Sequence, residues 1–425
     1  GGPIPPSPPP PPPPLPLDWT RLNECDRDDD AAVGGGSDPF DSDVATVRYP
    51  WDVVDDMTSM MHENSLILVG TAGQKITHMG KDLHERLSPN ISSLVLRSHL
   101  IRTMEGIGRM ERLELLELYD NQVDELRELD VSSGNMGLNL RVLDISYNVI
   151  RDMGPLISCP NLVELYIAQN KIKSISGVRN LTRLRKIDLG ANRIRVMDEA
   201  ELAGLVNLEE LWLGKNKIER ISGLSALTKL RRLDVQSNRL TRVEGLEAQV
   251  HSLEELYLSH NGIDDEGASY EGGLSLMFEN LNTIDMSRNR LTSTRPFGHL
   301  TSLVDLWISG NDIKTFDDVE DLRGLTNLDS VYLEYNPLDK EFEYRKRLAE
   351  MIPSLTQIDA NKIGGLAAYG WGGIGGGGFG SMGDPMERMR QMQDMAIRRA
   401  EMESQKNRYS EEKDAPEEAS SKKER

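Results

Sequence analysis

Residues 208–221 read Leu-Glu-Glu-Leu-Trp-Leu-Gly-Lys-Asn-Lys-Ile-Glu-Arg-Ile, an L-x-x-L-x-L-x-x-N-x-I-x-x-I frame. Its apolar spacing fits neither the period of about 3.6 residues of a long amphipathic helix nor the alternation of a half-buried strand. The frame returns through most of the chain. Its polar member falls at His99, Asn121, Asn148, Asn170, Asn192, Asn216, Asn238, Asn261, Asn289, Asn311 and Asn336. Most steps are 22 to 25 residues; two are longer, 27 between Asn121 and Asn148 and 28 between Asn261 and Asn289. A recurring period of this length predicts stacked units, each too small to bury its apolar edge alone. Each unit is expected to hold one short strand (Leu211-Trp-Leu213 in this frame), a turn carrying the Asn, and a return segment. So short a unit has no room for a full outer helix, which predicts 3₁₀ or extended returns.

The expected fold class is therefore an α/β repeat: a leucine-rich-repeat solenoid of about eleven short units, with a parallel sheet on the concave face and helical terminal caps. Eleven strands at roughly 4.8 Å spacing span on the order of 50 Å. A buried Asn offers amide donors and a carbonyl acceptor to neighbouring turn backbones, which accounts for a polar residue amid leucines. His99 replaces it only in the first unit, where one stacking neighbour is expected to be absent.

The remaining segments set the domain plan. Residues 1–50 form a Pro-rich and acidic head, 51–90 an N-terminal cap region, 91–338 the repeats, 339–362 a C-terminal cap, and 363–425 a Gly-rich linker with a Met-rich charged tail. Within the N-terminal cap, the apolar run 66–69 precedes a short helix expected over 80–87, with Trp51 near its start. The C-terminal cap is expected to be helical over 341–351. The run Pro8 to Pro14 favours an extended polyproline II helix, which suits SH3, WW or profilin-type domains or serves as a stiff spacer. Met386, Met389, Met392 and Met395 recur at three-residue steps and offer an adaptable docking stripe or a frayed helix.

Charge narrows the partners. Lys plus Arg total 49 against 69 Asp plus Glu, a formal net charge of −20. That excess excludes sequence-independent nucleic-acid binding and adsorption to anionic membranes, and it favours a basic protein partner. The two cysteines, Cys25 and Cys159, are far apart, and the proline-rich start lacks the basic-then-apolar pattern of a secretory signal. A reducing compartment, nucleus and cytoplasm, is expected. No histidine, cysteine and carboxylate cluster has metal-ligand spacing, and no nucleophile elbow or dinucleotide fingerprint is present, so neither a cofactor nor an enzymatic activity is expected.

The informative positions lie within L-x-L. Strand side chains alternate, so the leucines face inward and x faces the open concave sheet. In order, x is Val95, Glu117, Asp144, Tyr166, Asp188, Trp212, Asp234, Tyr257, Asp285, Trp307 and Tyr332. From Glu117 onward the column holds only acids and aromatics, although aromatics are 5% of the chain. Strand propensity accounts for aromatics but not for the acids. Asp305, two positions before Trp307, faces the same way. Exposed aromatics among carboxylates describe a protein-binding surface with large anchors, Trp212 and Trp307 foremost.

The same residues carry a family resemblance. Leu118-Tyr-Asp-Asn-Gln122, Leu143-Asp-Ile-Ser-Tyr-Asn148, Leu213-Gly-Lys-Asn-Lys-Ile218, Val235-Gln-Ser-Asn-Arg-Leu240 and Leu256-Tyr-Leu-Ser-His-Asn-Gly-Ile263 resemble the leucine-rich-repeat regulatory subunits of type-1 Ser/Thr protein phosphatase. Val331-Tyr-Leu-Glu-Tyr-Asn-Pro-Leu338 and the Ile352-Pro-Ser-Leu355 and Gln357-Ile-Asp-Ala360 stretches resemble that family's C-terminal cap. The resemblance covers about residues 91–362. It implies a non-enzymatic subunit that grips the phosphatase catalytic subunit, with a further inhibitor protein as a companion. It places contacts on Asp144, Tyr166, Asp188, Trp212, Asp285, Asp305, Trp307 and Tyr332, to which the concave column adds Tyr257. The head, the tail and the long connections 123–138 and 262–279 depart from the family. No basic-x-Val-x-Phe docking peptide is present. The other reading is a repeat scaffold for a different intracellular assembly, splicing or ciliary.

Overall fold

The computed structural model describes residues 46–47, 49–52, 64–71 and 74–363. The Pro8 run and the Met-spaced tail lie outside them. Each L-x-x-L-x-L frame delivers a three-residue strand, and these strands stack in parallel, in sequence order. They are β4 (Ser93–Arg97), β5 (Leu115–Glu117), β6 (Val142–Asp144), β7 (Glu164–Tyr166), β8 (Lys186–Asp188), β9 (Glu210–Trp212), β10 (Arg232–Asp234), β11 (Glu255–Tyr257), β12 (Thr283–Asp285), β13 (Asp305–Trp307) and β14 (Ser330–Tyr332). Register never slips: Leu165, Ile187, Leu211, Leu233, Leu256, Ile284, Leu306 and Val331 pair in one row. That row and the next inward residue of each unit, such as Leu211 and Leu213, are fully buried and join one continuous core. The returns pack their own Leu and Ile against it, most of them through 3₁₀ or short α-helical segments, while those between β7 and β8 and between β9 and β10 have neither, in keeping with the short unit. The long connections hold such turns too, Arg127–Leu129 and Met136–Asn139 in one and Asp265–Ala268 in the other.

The Asn ladder is a complete hydrogen-bonding device. Asn216 donates Nδ2 to the carbonyls of Leu189, Leu213 and Gly214 at 3.0–3.3 Å, and its Oδ1 accepts the Ile194 N–H at 3.0 Å. One side chain thus closes its own turn and ties it to the preceding unit. The residue before each ladder position turns left-handed. Ten of these eleven residues carry a side chain, from Ser98 (φ 56°) to Tyr335 (φ 62°); Gly310 is the exception. A left-handed residue with a Cβ costs roughly 1–2 kcal/mol, which the ladder bonds offset.

At the N-terminal end, β2 (Ser65–Val69) runs parallel to β4 over five residues, extending the sheet by one strand. The expectation that the first unit lacks a neighbour is therefore corrected: the cap supplies one. β1 (Thr46–Val47) and β3 (Lys75–Ile76) form a separate two-stranded sheet. His99 is buried, and its Nδ1 accepts the Ile76 N–H at 3.2 Å. Burial pushes its pKa down to about 4, which keeps the imidazole neutral. Trp51 stacks on Tyr49, with the Arg86 guanidinium 4.6 Å from its ring. Gly80, at φ +90°, lets the indole approach so closely that a Cβ would lie 2.4 Å from it. The short helix expected over 80–87 is the single turn Leu83–Arg86.

At the other end the helix Tyr344–Met351 packs behind the last unit, followed by β15 (Gln357–Ile358) and β16 (Asn361–Lys362). β15 continues the parallel stack, and β16 folds back antiparallel to it. Asp359, wholly buried, accepts the N–H groups of Leu333 and Glu334 at 2.9 and 3.0 Å and the Arg345 guanidinium at 3.0 Å.

Candidate partner-binding face

Strand register brings the sequence-predicted column together. Asp144, Tyr166, Asp188, Trp212, Asp234, Tyr257, Asp285, Trp307 and Tyr332 pair one after another along the sheet. Asp305 heads a parallel row two residues upstream, beside Thr283 and Ser330.

The expected free exposure of this column is corrected. Trp212, Tyr257, Trp307 and Tyr332 are half-buried, and Glu117, Asp188 and Asp234 are buried. The cause is lateral packing. Centroid distances are 6.5 Å for Trp212–Tyr257, 6.2 Å for Tyr257–Trp307 and 6.1 Å for Trp307–Tyr332. The first two pairs sit on alternate strands, so their rings lean together over the acid between them. Each aspartate in turn accepts a backbone N–H two residues on: Asp144 from Ser146, Asp188 from Gly190, Asp234 from Gln236 and Asp285 from Ser287, all at 2.9 Å; Glu117 instead accepts the Arg97 guanidinium. Burial pushes the Asp144 and Asp234 carboxyls up to about 7, against the pull of these bonds and with added repulsion from neighbouring carboxylates. Asp285 is raised by burial in the same way.

The upstream row, apart from Asp305, escaped the sequence reading. Glu164, Lys186, Glu210, Arg232 and Glu255 stand side by side there, alternating in sign. Lys186 reaches Glu210 at 3.3 Å, Arg232 reaches Glu210 at 3.7 Å, and Arg232 donates Nε to Glu255 at 2.7 Å. The acids also hold the aromatics: Tyr166 donates to Glu164 at 2.7 Å, Trp212 to Glu210 at 3.1 Å and Tyr257 to Glu255 at 2.6 Å. Reading the position two before each x, as was done at Asp305, exposes this row. Of the five aromatics, Tyr166, Trp212 and Tyr257 have Glu two residues upstream, Tyr332 has Ser330, and Trp307 has Asp305, one methylene shorter than Glu. The Trp307 indole N–H is screened from solvent and has no partner among the described residues.

The face is thus a strip of aromatic rims with carboxylates beneath them, flanked by an ionic row of alternating sign. It suits broad contact with a protein surface. No group of three or more His, Cys, Asp or Glu among the described residues is arranged to hold a metal ion.

Known proteins share these repeats. Family models described as leucine rich repeat match residues 182–240 and 251–270, and one described as two copies of the repeat matches 138–180. A solved leucine-rich-repeat protein of Leptospira interrogans superposes with a TM-score of 0.55 at 22% identity, over 68% of this chain and 76% of that one. The fold is a leucine-rich-repeat solenoid. The solenoid's sequence resembles "Protein phosphatase 1 regulatory subunit SDS22" of Schizosaccharomyces pombe, with 45% identity over 67 residues, 15% of this chain and 20% of that protein. "Protein phosphatase 1 regulatory inhibitor subunit PPP1R7 homolog" of Arabidopsis thaliana is 37% identical over 117 residues, 26% of this chain and 34% of that one. The matched stretches therefore span about a fifth and a third of these two relatives.

Proposed function

We propose that the solenoid is a non-catalytic regulatory subunit that binds the catalytic subunit of type-1 Ser/Thr protein phosphatase through its concave face. The observation that carries this reading is the unbroken register of acids and aromatics from Asp144 to Tyr332, within repeats that resemble named phosphatase regulators. Tyr166, Trp212, Tyr257, Trp307 and Tyr332 supply apolar area already held in place, which lowers the ordering cost of association. Asp305, half-buried at the rim of the upstream row, supplies charge selection for a basic surface. Trp307, whose N–H has no acceptor among the described residues, is the anchor most improved by a partner carbonyl or carboxylate. A further inhibitor protein would join such a complex from outside this strip.

Titration of purified catalytic subunit against Trp307→Ala and Trp212→Ala tests the reading. Each variant should bind at least about 30-fold more weakly, near 2 kcal/mol. Asp305→Ala should also weaken binding, by less as salt rises. Wild-type affinity in both tryptophan variants would move the interface off this face. Absence of the phosphatase among proteins recovered with the tagged chain, with splicing or ciliary components in its place, would favour the scaffold reading.

A further inference from the structure

The edge of the sheet opposite the ladder turns, where the strands begin, carries a second set of asparagines. Asn139, Asn161 and Asn207 each donate Nδ2 to a carbonyl of the preceding unit (Glu111, Leu138 and Thr182) at 2.6–2.8 Å. These bonds fix the amides and leave the Oδ1 atoms of Asn139 and Asn161 as acceptors at the rim, while that of Asn207 accepts Lys229 Nζ at 2.6 Å. Beside them runs a groove of about 870 Å³ lined by Arg112, Arg141, Arg183 and Arg185, with Glu111 and Glu114 as its only acids. All four arginines are exposed. Arg112 donates to Asn90 at 2.6 Å, and Arg185 has only a 3.8 Å contact with Glu209. Among the described residues Arg141 and Arg183 have no acidic partner. In a chain of formal charge −20, four guanidinium groups on one groove, two of them unpaired, are an inversion of the local field.

We infer that this groove is a second docking site, independent of the concave strip, for an extended acidic peptide segment of a partner protein. Guanidinium forks match carboxylates or phosphates bidentately. The Oδ1 atoms of Asn139 and Asn161 accept N–H groups, which a peptide backbone supplies at every residue and a nucleic-acid backbone does not. The lining runs from Asn90 to Asn207, six units, or about 24 Å at the strand spacing. That length holds roughly seven extended residues. The overall acidity of the chain opposes a long polyanion but only weakly opposes a short segment held against the arginines, because exposed charges beyond about 10 Å are screened.

Fluorescence polarisation of a labelled hepta-glutamate peptide with the full chain tests the assignment. Hepta-glutamine and a seven-nucleotide oligothymidylate serve as comparison probes. Hepta-glutamate should bind at least tenfold more tightly than either, and the difference should shrink on going from low to high salt. The double variant Arg141→Glu/Arg183→Glu should lose at least tenfold in affinity while its melting temperature stays unchanged, since neither arginine has an acidic partner among the described residues. Arg141→Ala/Arg183→Ala should lose less and guards against misfolding of the reversed variant. Undiminished binding in both doubles, no binding of hepta-glutamate, or tighter binding of oligothymidylate would each overturn the proposal. The concave-face variant Trp307→Ala should bind hepta-glutamate normally, so failure of the phosphatase reading leaves this result standing.

Discussion

The rings of Trp212 and Tyr257 lie 15° from parallel with centroids 6.5 Å apart, although a whole strand separates their backbones. They meet above Asp234, which is left 2% exposed. The aromatic column is therefore a roof over carboxylates.

That roof predicts an unusual pH dependence. Burial holds the Asp234 carboxyl near 7, against about 3.9 in an unfolded chain. Between these values the native state keeps a proton that the unfolded state releases. The contribution of Asp234 to stability is therefore greatest below pH 4, falls as pH rises to 7, and stays low above it. Asp234→Asn keeps an acceptor for the Gln236 N–H and removes the charge. Urea unfolding should find the variant more stable than wild type by about 1–3 kcal/mol at pH 8 and nearly equal to it at pH 4.5. An equal difference at both pH values would show that Asp234 does not titrate in this range.

The ladder predicts a graded response along the solenoid. Asn216→Ala orphans the buried Ile194 N–H and takes one of two donors from each of the Leu189, Leu213 and Gly214 carbonyls, and should cost about 1–3 kcal/mol. Asn238 makes the same bonds but is only half-buried, so water can replace part of them. Its alanine variant should cost about half as much. Thermal melts of the two variants measure the difference. Lys217→Ala, beside Asn216 on the turn, should shift the melt little.

The C-terminal cap rests on one charged group. Asp359→Ala removes the acceptor for two backbone N–H groups and for Arg345 together, and should cost about 3–5 kcal/mol. Asp359→Asn keeps one carbonyl oxygen for the backbone and should recover about half of that loss. Hydrogen exchange should localise the damage to the last units, because each unit contacts only its neighbours.

The repeat, the Asn ladder and the concave column were legible because each is a periodic one-residue rule. Burial on that column was not legible. It depends on Trp212 and Tyr257 leaning across β10, a relation between residues about 45 positions apart. The Glu164 to Glu255 row escaped because its members alternate in charge and read as generic surface until the register aligns them. The rim asparagines escaped for a related reason: Asn139, Asn161 and Asn207 are absent from several units, so they form no strict period. β2 was legible as an apolar run and not as a strand of the main sheet, since it lies outside the frame.

The reversal of β16 against β15 bears on how a molecule of this kind grows over evolutionary time. From β4 to β14 every junction has the same parallel register and the same ladder bond, so a duplicated unit inserted at any of them meets the surface it needs. Beyond β15 the chain doubles back, and a new unit there would find no parallel edge. Lineages can therefore lengthen or shorten this solenoid in its interior, shifting the spacing between Trp212 and Trp307 by whole units, while its C-terminal end stays fixed.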